Sequence, residues 1–99
     1  MLKHINDREE FKAAIAEGTV LVDFFATWCG PCKMLGKELE EVENDINIDI
    51  IKIDIDKYPE LAREYKIMSV PTVLLFNNNE VIKQNIGFMD KNKILEFIK

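Results

Sequence analysis

The stretch Trp28-Cys29-Gly30-Pro31-Cys32-Lys33 decides how this sequence is interpreted, because it holds both cysteines of the chain. It follows an apolar, β-prone run at residues 20–25, which predicts a buried strand interrupted by one carboxylate, Asp23. After it, apolar side chains recur at the spacing of one helix face: Cys32, Leu35, Leu39, Val42 and Ile46. The cysteine pair therefore lies where a strand turns into the N-terminus of a helix.

This position favours a reactive sulfur. Free backbone N–H groups and the helix dipole both stabilise an anion at a helix N-terminus, and a thiolate is an anion. Because Gly-Pro between the cysteines favours a turn at the surface, two inert core cysteines are a poor alternative. We expect one sulfur of the pair to be ionised and accessible.

Two other uses of the cysteines are less favoured. A bridge that only staples the fold would close a very short loop, and the chain-entropy model gives such a loop only about 2 kcal/mol of stabilisation. A zinc or iron–sulfur site needs about four ligands, and His4 is the only further soft or borderline candidate. The sequence therefore predicts a disulfide that forms and breaks, with no metal.

Composition limits the class of protein. The 99 residues are 47% hydrophobic and 31% charged, which predicts one soluble globular domain spanning residues 1–99. No apolar run approaches the ~20 residues of a membrane span, so no membrane partner is expected. The polar N-terminus does not resemble a secretion signal, and two cysteines do not make a secreted disulfide scaffold, so we expect a cytoplasmic protein. The net charge of −5 argues against a nucleic-acid partner.

The predicted order of elements is β-α-β-α-β-α-β-β-α, an α/β arrangement with helices on both faces of a mixed sheet. Strands are predicted at residues 2–5, 20–25, 48–55, 72–76 and 80–86. Helices are predicted after Asp7, over about residues 31–44, from about Pro59 and after Asp90. The asparagines at 77–79 predict a tight hairpin turn, because asparagine tolerates positive φ.

Four segments resemble the thioredoxin family, and the resemblance runs nearly end to end. They are residues 23–33, Ile53-Asp54-Ile55-Asp56, Val70-Pro71-Thr72 and Gly87. The resemblance implies the thioredoxin fold, a central mixed five-stranded sheet flanked by four helices. It also implies a general protein disulfide reductase without a bound cofactor, active as a monomer on disulfide-containing client proteins. Its electrons would come from NADPH through a flavoprotein thioredoxin reductase, or from a ferredoxin-linked one.

The family places its nucleophile at the position of Cys29, which we expect to be exposed at the helix end. Cys32 lies one turn further in, so it should stay a shielded thiol until it resolves the mixed disulfide. Cys29 is thus the predicted attacking thiolate and Cys32 the predicted resolving thiol.

Two charged residues interrupt buried strands. Asp23 should be desolvated, which raises a carboxyl pKa, and it matches the family's base for the proton of Cys32. The alternative is an exposed aspartate at a strand end. Lys52 matches a family lysine beside that aspartate and would oppose the rise in pKa, whereas the alternative is an ordinary solvated lysine.

The remaining predicted site residues form a client-binding surface. Trp28 and Gly30-Pro31 would offer a flat apolar patch beside the sulfurs, although Trp28 could also be plain core. Val70-Pro71 matches the family's cis-proline segment, where backbone groups face a client strand, although a strand-start proline is the simpler alternative. Gly87 would keep the groove open because it has no side chain.

Three positions depart from the family pattern. Gly36-Lys37 replaces the usual helix proline, so the helix kink is either absent or made by Gly36. Phe25 replaces a second tryptophan, and the hairpin lacks its usual Asn-Gly. None of these departures removes a catalytic group.

Two other functions stay open on the sequence alone. The same chemistry could run in reverse, as an oxidase or isomerase, although such relatives usually carry histidine between their cysteines. The chain could also be a binding module whose redox chemistry is incidental.

Overall fold

The computed structural model describes residues 1–99, and its elements follow the predicted order. The five strands are β1 (Leu2–His4), β2 (Thr19–Phe25), β3 (Asp49–Asp54), β4 (Thr72–Asn77) and β5 (Glu80–Ile86). The four α-helices are α1 (Arg8–Ile15), α2 (Gly30–Val42), α3 (Pro59–Glu64) and α4 (Lys91–Phe97). A short 3₁₀ turn at Glu43–Asp45 follows α2, where the sequence predicts helix as far as about residue 44. No helix is both long and apolar enough to cross a membrane.

The sheet is mixed, with the strand order β1-β3-β2-β4-β5. β1 and β2 run parallel to β3, whereas β4 is antiparallel to both β2 and β5. β2 and β3 therefore lie inside the sheet, and their register pairs Asp23 directly with Lys52. The predicted five-stranded α/β architecture with four helices is confirmed.

Side-chain alternation along β2 divides the core between the two faces of the sheet. Val22 and Phe24 belong to a cluster with residues of α1 and α3. Leu21 belongs to a second cluster with Leu35 and Leu39 of α2. Because Asp23 is two residues from Leu21, it points to the face that α2 covers.

The predicted helix caps and hairpin are also confirmed. The Asp7 carboxylate accepts a hydrogen bond from the Glu10 N–H at 2.7 Å, and Asp90 caps α4 through the Lys93 N–H at 2.9 Å. Asn78 and Asn79 have φ values of 50° and 73°, so both turn residues are left-handed, as the asparagine run predicts.

Candidate active site

Cys29 is the N-cap of α2, at the end of the loop that leaves β2. Cys29 and Cys32 are joined by a disulfide, and the Cys32 N–H donates a hydrogen bond to the Cys29 sulfur at 3.2 Å. This N–H is one of the first-turn donors that have no partner inside a helix. Because such a donor stabilises negative charge on the atom it faces, the geometry favours a thiolate on Cys29 after reduction.

Cys29 is less exposed than the sequence predicts, whereas Cys32 is shielded as predicted. Cys29 is 6% exposed and Cys32 is 2% exposed, so the expectation that Cys29 projects into solvent is wrong for the disulfide form. The reason is a contact from a distant segment: the carbonyl oxygen of Val70 lies 3.7 Å from the Cys29 sulfur. Ala26 and Val70 pack around the cysteines in one small cluster. Cys29 is therefore recessed beside the Val70 carbonyl and does not protrude from the surface.

Asp23 is fully buried, as the apolar strand around it predicts. Neither of its carboxylate oxygens has a hydrogen-bond partner. Burial raises the pKa of Asp23 to about 6, and the charge of Lys52 opposes that rise. The carboxyl group therefore titrates close to neutral pH, where it can both accept and release a proton.

Lys52 is the closest charge to Asp23. Its Nζ lies 3.6 Å from Asp23 Oδ2, and its side chain is 12% exposed, so the alternative of a solvated lysine is wrong. The same Nζ lies 4.6 Å from the centroid of the Phe25 ring, within cation–π distance. A cavity of about 430 Å³ opens beside this group and is also lined by Cys32, Gly36 and Lys37.

Trp28 lies on the other side of the sulfurs and is 69% exposed, so it is not a core side chain. Its ring borders an apolar depression of about 280 Å³ that Ile55, Ile67, Met68 and Val70 also line. This depression, which we call the Trp28 groove, is open to solvent directly beside the disulfide. Exposed apolar surface of this kind is typical of sites that bind other proteins.

The Val70–Pro71 peptide is cis, in agreement with the resemblance. Pro71 is buried, and its carbonyl accepts a hydrogen bond from the Gly87 N–H at 2.9 Å. Gly87 has a φ of 99°, and a Cβ built there would contact nothing within 4 Å. Gly30 likewise faces open space at the start of α2. These residues border the same end of the sheet as the disulfide.

Two features of the site could not be foreseen. The Trp28 indole N–H donates to Asp56 Oδ2 at 2.9 Å, and Met68 beside the Trp28 groove is 92% exposed. Asp56 stands in a segment that the sequence marks as a strand end, but nothing in that segment indicates contact with Trp28.

No group of three or more His, Cys, Asp or Glu side chains is arranged to hold a metal ion.

Comparison with known proteins gives the family. A sequence model of thioredoxin matches residues 2–99. The chain belongs to the thioredoxin family. It is 41% identical to thioredoxin of Chlamydia trachomatis over 92 residues, covering 92% of this chain and 90% of that protein. It is 40% identical to thioredoxin of Mycoplasmoides gallisepticum over 100 residues, covering 99% of this chain and 100% of that protein.

The structure agrees with this family. A mutant thioredoxin from Halobacterium salinarum superposes with a TM-score of 0.92 at 31% identity, covering 98% of this chain and 87% of that one. A thioredoxin from Schistosoma mansoni superposes with a TM-score of 0.84 at 34% identity, covering 98% and 94% of the two chains. With its Cys29–Cys32 disulfide, this thioredoxin-family protein is a thiol–disulfide oxidoreductase.

Proposed function

We propose that the protein reduces disulfides in client proteins. The Cys29 thiolate attacks one client sulfur, and the other client sulfur leaves as a thiolate that takes up a proton. Cys32 then attacks Cys29 in the mixed disulfide, which releases the reduced client and leaves the Cys29–Cys32 disulfide. The observation that carries this proposal is the hydrogen bond from the Cys32 N–H to the Cys29 sulfur.

The roles of the two sulfurs follow from their places in α2. Cys29 is the N-cap, where the helix dipole and the Cys32 N–H both favour negative charge. Cys32 lies inside the first turn and is 2% exposed against 6% for Cys29, and its sulfur has neither the N-cap position nor the N–H donor that favour a thiolate on Cys29. Cys29 is therefore the attacking group and Cys32 the resolving group.

Asp23 acts as the base that takes the proton of Cys32 as that thiol attacks the mixed disulfide. Its burial and its pKa near 6 support this role, since a base of that pKa is mostly ionised at neutral pH. Lys52 acts through Asp23: its ammonium 3.6 Å away keeps the carboxylate ionised in spite of burial.

The client binds across the Trp28 groove and the end of β4. Trp28, Gly30 and Pro31 supply the exposed surface on one side of the disulfide. Val70, Pro71 and Gly87 supply backbone groups and an open edge on the other side. An extended client segment would lie between these two sets, with its disulfide over Cys29.

Residues 1–99 act as one thioredoxin domain, as a monomer in the cytoplasm, with no nucleic-acid or membrane partner. The protein needs no bound cofactor for this reaction. The oxidised protein is reduced again by a thioredoxin reductase, a flavoprotein that draws on NADPH or a ferredoxin-linked enzyme. The family and the Cys29–Cys32 disulfide support this cycle.

The test is insulin reduction with NADPH and a thioredoxin reductase, in which turbidity follows the release of insulin chains. Wild type should be active, and Cys29→Ser should lose all activity because no attacking sulfur is left. Cys32→Ser is the matched variant: it should attack once and accumulate a covalent complex with the client. If Cys29→Ser reduced insulin as fast as wild type, the proposal would be wrong.

A further inference from the structure

The charges of α2 run against the direction that stabilises a helix. Its first turn carries no acidic side chain, and both of its lysines, Lys33 and Lys37, precede all of its glutamates. The helix macrodipole favours acidic groups at the N-terminus and basic groups at the C-terminus. Helix α1 follows that rule, with acidic residues in its first turn and a lysine in its last. The positions of the two lysines in α2 are therefore not explained by helix stability.

Lys33 and Lys37 project from the same side of α2. They are four residues apart, a spacing that places two side chains on one helix face, and both line the cavity of about 430 Å³ beside Cys32. Both residues are exposed, and neither belongs to any ion pair of the protein. Two like charges at this spacing repel each other, so an anion placed between them would be stabilising.

No carboxylate on this cavity pairs with the two lysines. Glu40 lines it three residues beyond Lys37 but makes no ion pair with it. Lys52 adds an ammonium that is enclosed, since a Cβ built on Gly36 would lie 3.1 Å from its Nζ and Asp23 Oδ2 lies 3.6 Å away. The charge of Lys52 is thus offset by Asp23, whereas the charges of Lys33 and Lys37 stay open to solvent.

The two lysines are close enough to the disulfide to meet a client. Lys33 directly follows Cys32, and Lys37 comes five positions after Cys32 in the chain. Five helical positions span about 7.5 Å along the helix axis. A protein that docks over the disulfide covers about 800 Å² of surface, which corresponds to a disc of roughly 16 Å radius. Both lysines therefore fall inside such a footprint when it is centred on the disulfide.

We propose that Lys33 and Lys37 form a carboxylate-recognition pair, which selects client proteins that carry aspartate or glutamate next to the reactive disulfide. The inference rests on the proposed function and narrows its substrate class. A client carboxylate would lie between the two ammonium groups, where this protein supplies no partner of its own. Because the chain as a whole has a net charge of −5, two unpaired cations beside the disulfide direct an acidic client to the reacting sulfur.

The test uses three peptides with the same intramolecular disulfide, flanked on both sides by two glutamates, two glutamines or two lysines. Protein reduced beforehand is mixed with each peptide at low salt, and the second-order rate constant of peptide reduction is measured. In Lys33→Gln/Lys37→Gln, the ratio of the glutamate rate to the glutamine rate should fall about fivefold, which corresponds to about 1 kcal/mol from two exposed ion pairs. The ratio of the lysine rate to the glutamine rate should rise. Because both lysines oppose the helix dipole, their removal should not lower the thermal midpoint.

Lys3→Gln/Lys12→Gln is the matched control. It removes the same two charges from exposed side chains that pair with glutamates of α1, on the opposite face of the sheet from α2, so its glutamate-to-glutamine ratio should stay within about twofold of wild type.

An unchanged ratio in Lys33→Gln/Lys37→Gln, or an equal fall in the control, would overturn the proposal. A common fall with all three peptides would also overturn it, because the lysines would then act on the Cys29 thiolate and not on the client. These outcomes leave the reductase proposal standing, since wild type still reduces the glutamine peptide. If wild type reduced none of the peptides, the reductase proposal itself would fall.

Discussion

The indole N–H of Trp28 donates a hydrogen bond to the Asp56 carboxylate at 2.9 Å, although the ring itself is 69% exposed. The bond joins the loop before α2 to the segment after β3. A large exposed ring beside the disulfide is therefore held in one orientation by a single polar contact. Asp56 supports the Trp28 groove without bordering the sulfurs.

Removing this carboxylate should weaken client reduction without stopping it. Asp56→Ala frees the indole, and we expect kcat/KM for insulin to fall about two- to fivefold, the equivalent of one exposed hydrogen bond. Glu17→Ala is the control, since it removes the same charge from an exposed position before the start of β2, at the opposite end of the strand from Trp28. Equal effects of the two substitutions would show that charge, and not the orientation of Trp28, is responsible.

Asp23→Asn should slow the resolving step on the order of 100-fold while leaving the first attack nearly unchanged, because a general base acts only on the Cys32 proton. Ellman's reagent separates the two steps, since each releases one coloured thiolate. In wild type, the second release should speed up as pH rises through about 6, where Asp23 ionises. Glu40→Gln, which alters a carboxylate on the same cavity, should change neither step by more than about twofold. An unchanged second release in Asp23→Asn would remove Asp23 from the mechanism.

The same carboxyl group should make the stability of the oxidised protein depend on pH. The folded-state pKa of Asp23 is about 6, above the unfolded value of about 4, so the folded state binds more protons between these values. Stability from this group is therefore present at low pH and is lost as pH rises through 6. Asp23→Asn should have a higher free energy of unfolding than wild type. The difference between the two proteins should be about 2 kcal/mol larger at pH 8 than at pH 4.5. Urea unfolding at both pH values measures this difference, and a constant difference would contradict the assigned pKa.

The hairpin between β4 and β5 gives a matched pair of substitutions. Asn79 has a φ of 73° and its side chain makes no hydrogen bond, so Asn79→Gly should raise the free energy of unfolding by up to about 1 kcal/mol. The Asn78 side chain accepts a hydrogen bond from the Gly18 N–H at 2.8 Å, so Asn78→Gly should gain nothing or lose stability. Equal gains in thermal unfolding experiments would show that this side-chain contact is unimportant.

Much of the site follows from local sequence patterns. The cysteines lie at the start of α2 because an apolar strand, a Gly-Pro turn and a helical apolar stripe follow one another in the chain. Asp23 is buried because its strand is apolar on both faces, so any residue inside it is covered. Patterns of this kind can be recognised in the sequence because each is formed by residues that are close together in the chain.

Contacts between distant segments were not predictable in the same way. The carbonyl of Val70 approaches the Cys29 sulfur from a segment 41 residues away, and this contact accounts for the unexpected burial of Cys29. The approach of Lys52 to Gly36 depends on the height of α2 above the sheet, which the spacing of apolar residues does not specify. Distances of a few ångströms between such segments are set by packing of the whole core.

In the reduced protein, we expect Cys29 to be ionised at the N-terminus of α2 while Cys32 stays a thiol inside the first helical turn. Alkylation of the reduced protein by iodoacetamide, followed by peptide mapping across a pH series, tests it directly. We predict that at pH 7 Cys29 is modified at least about tenfold faster than Cys32, with a rate midpoint well below the ordinary thiol value of about 8.5. Equal rates at the two residues, or a Cys29 midpoint at or above that value, would show that Cys29 is not the ionised, attacking sulfur.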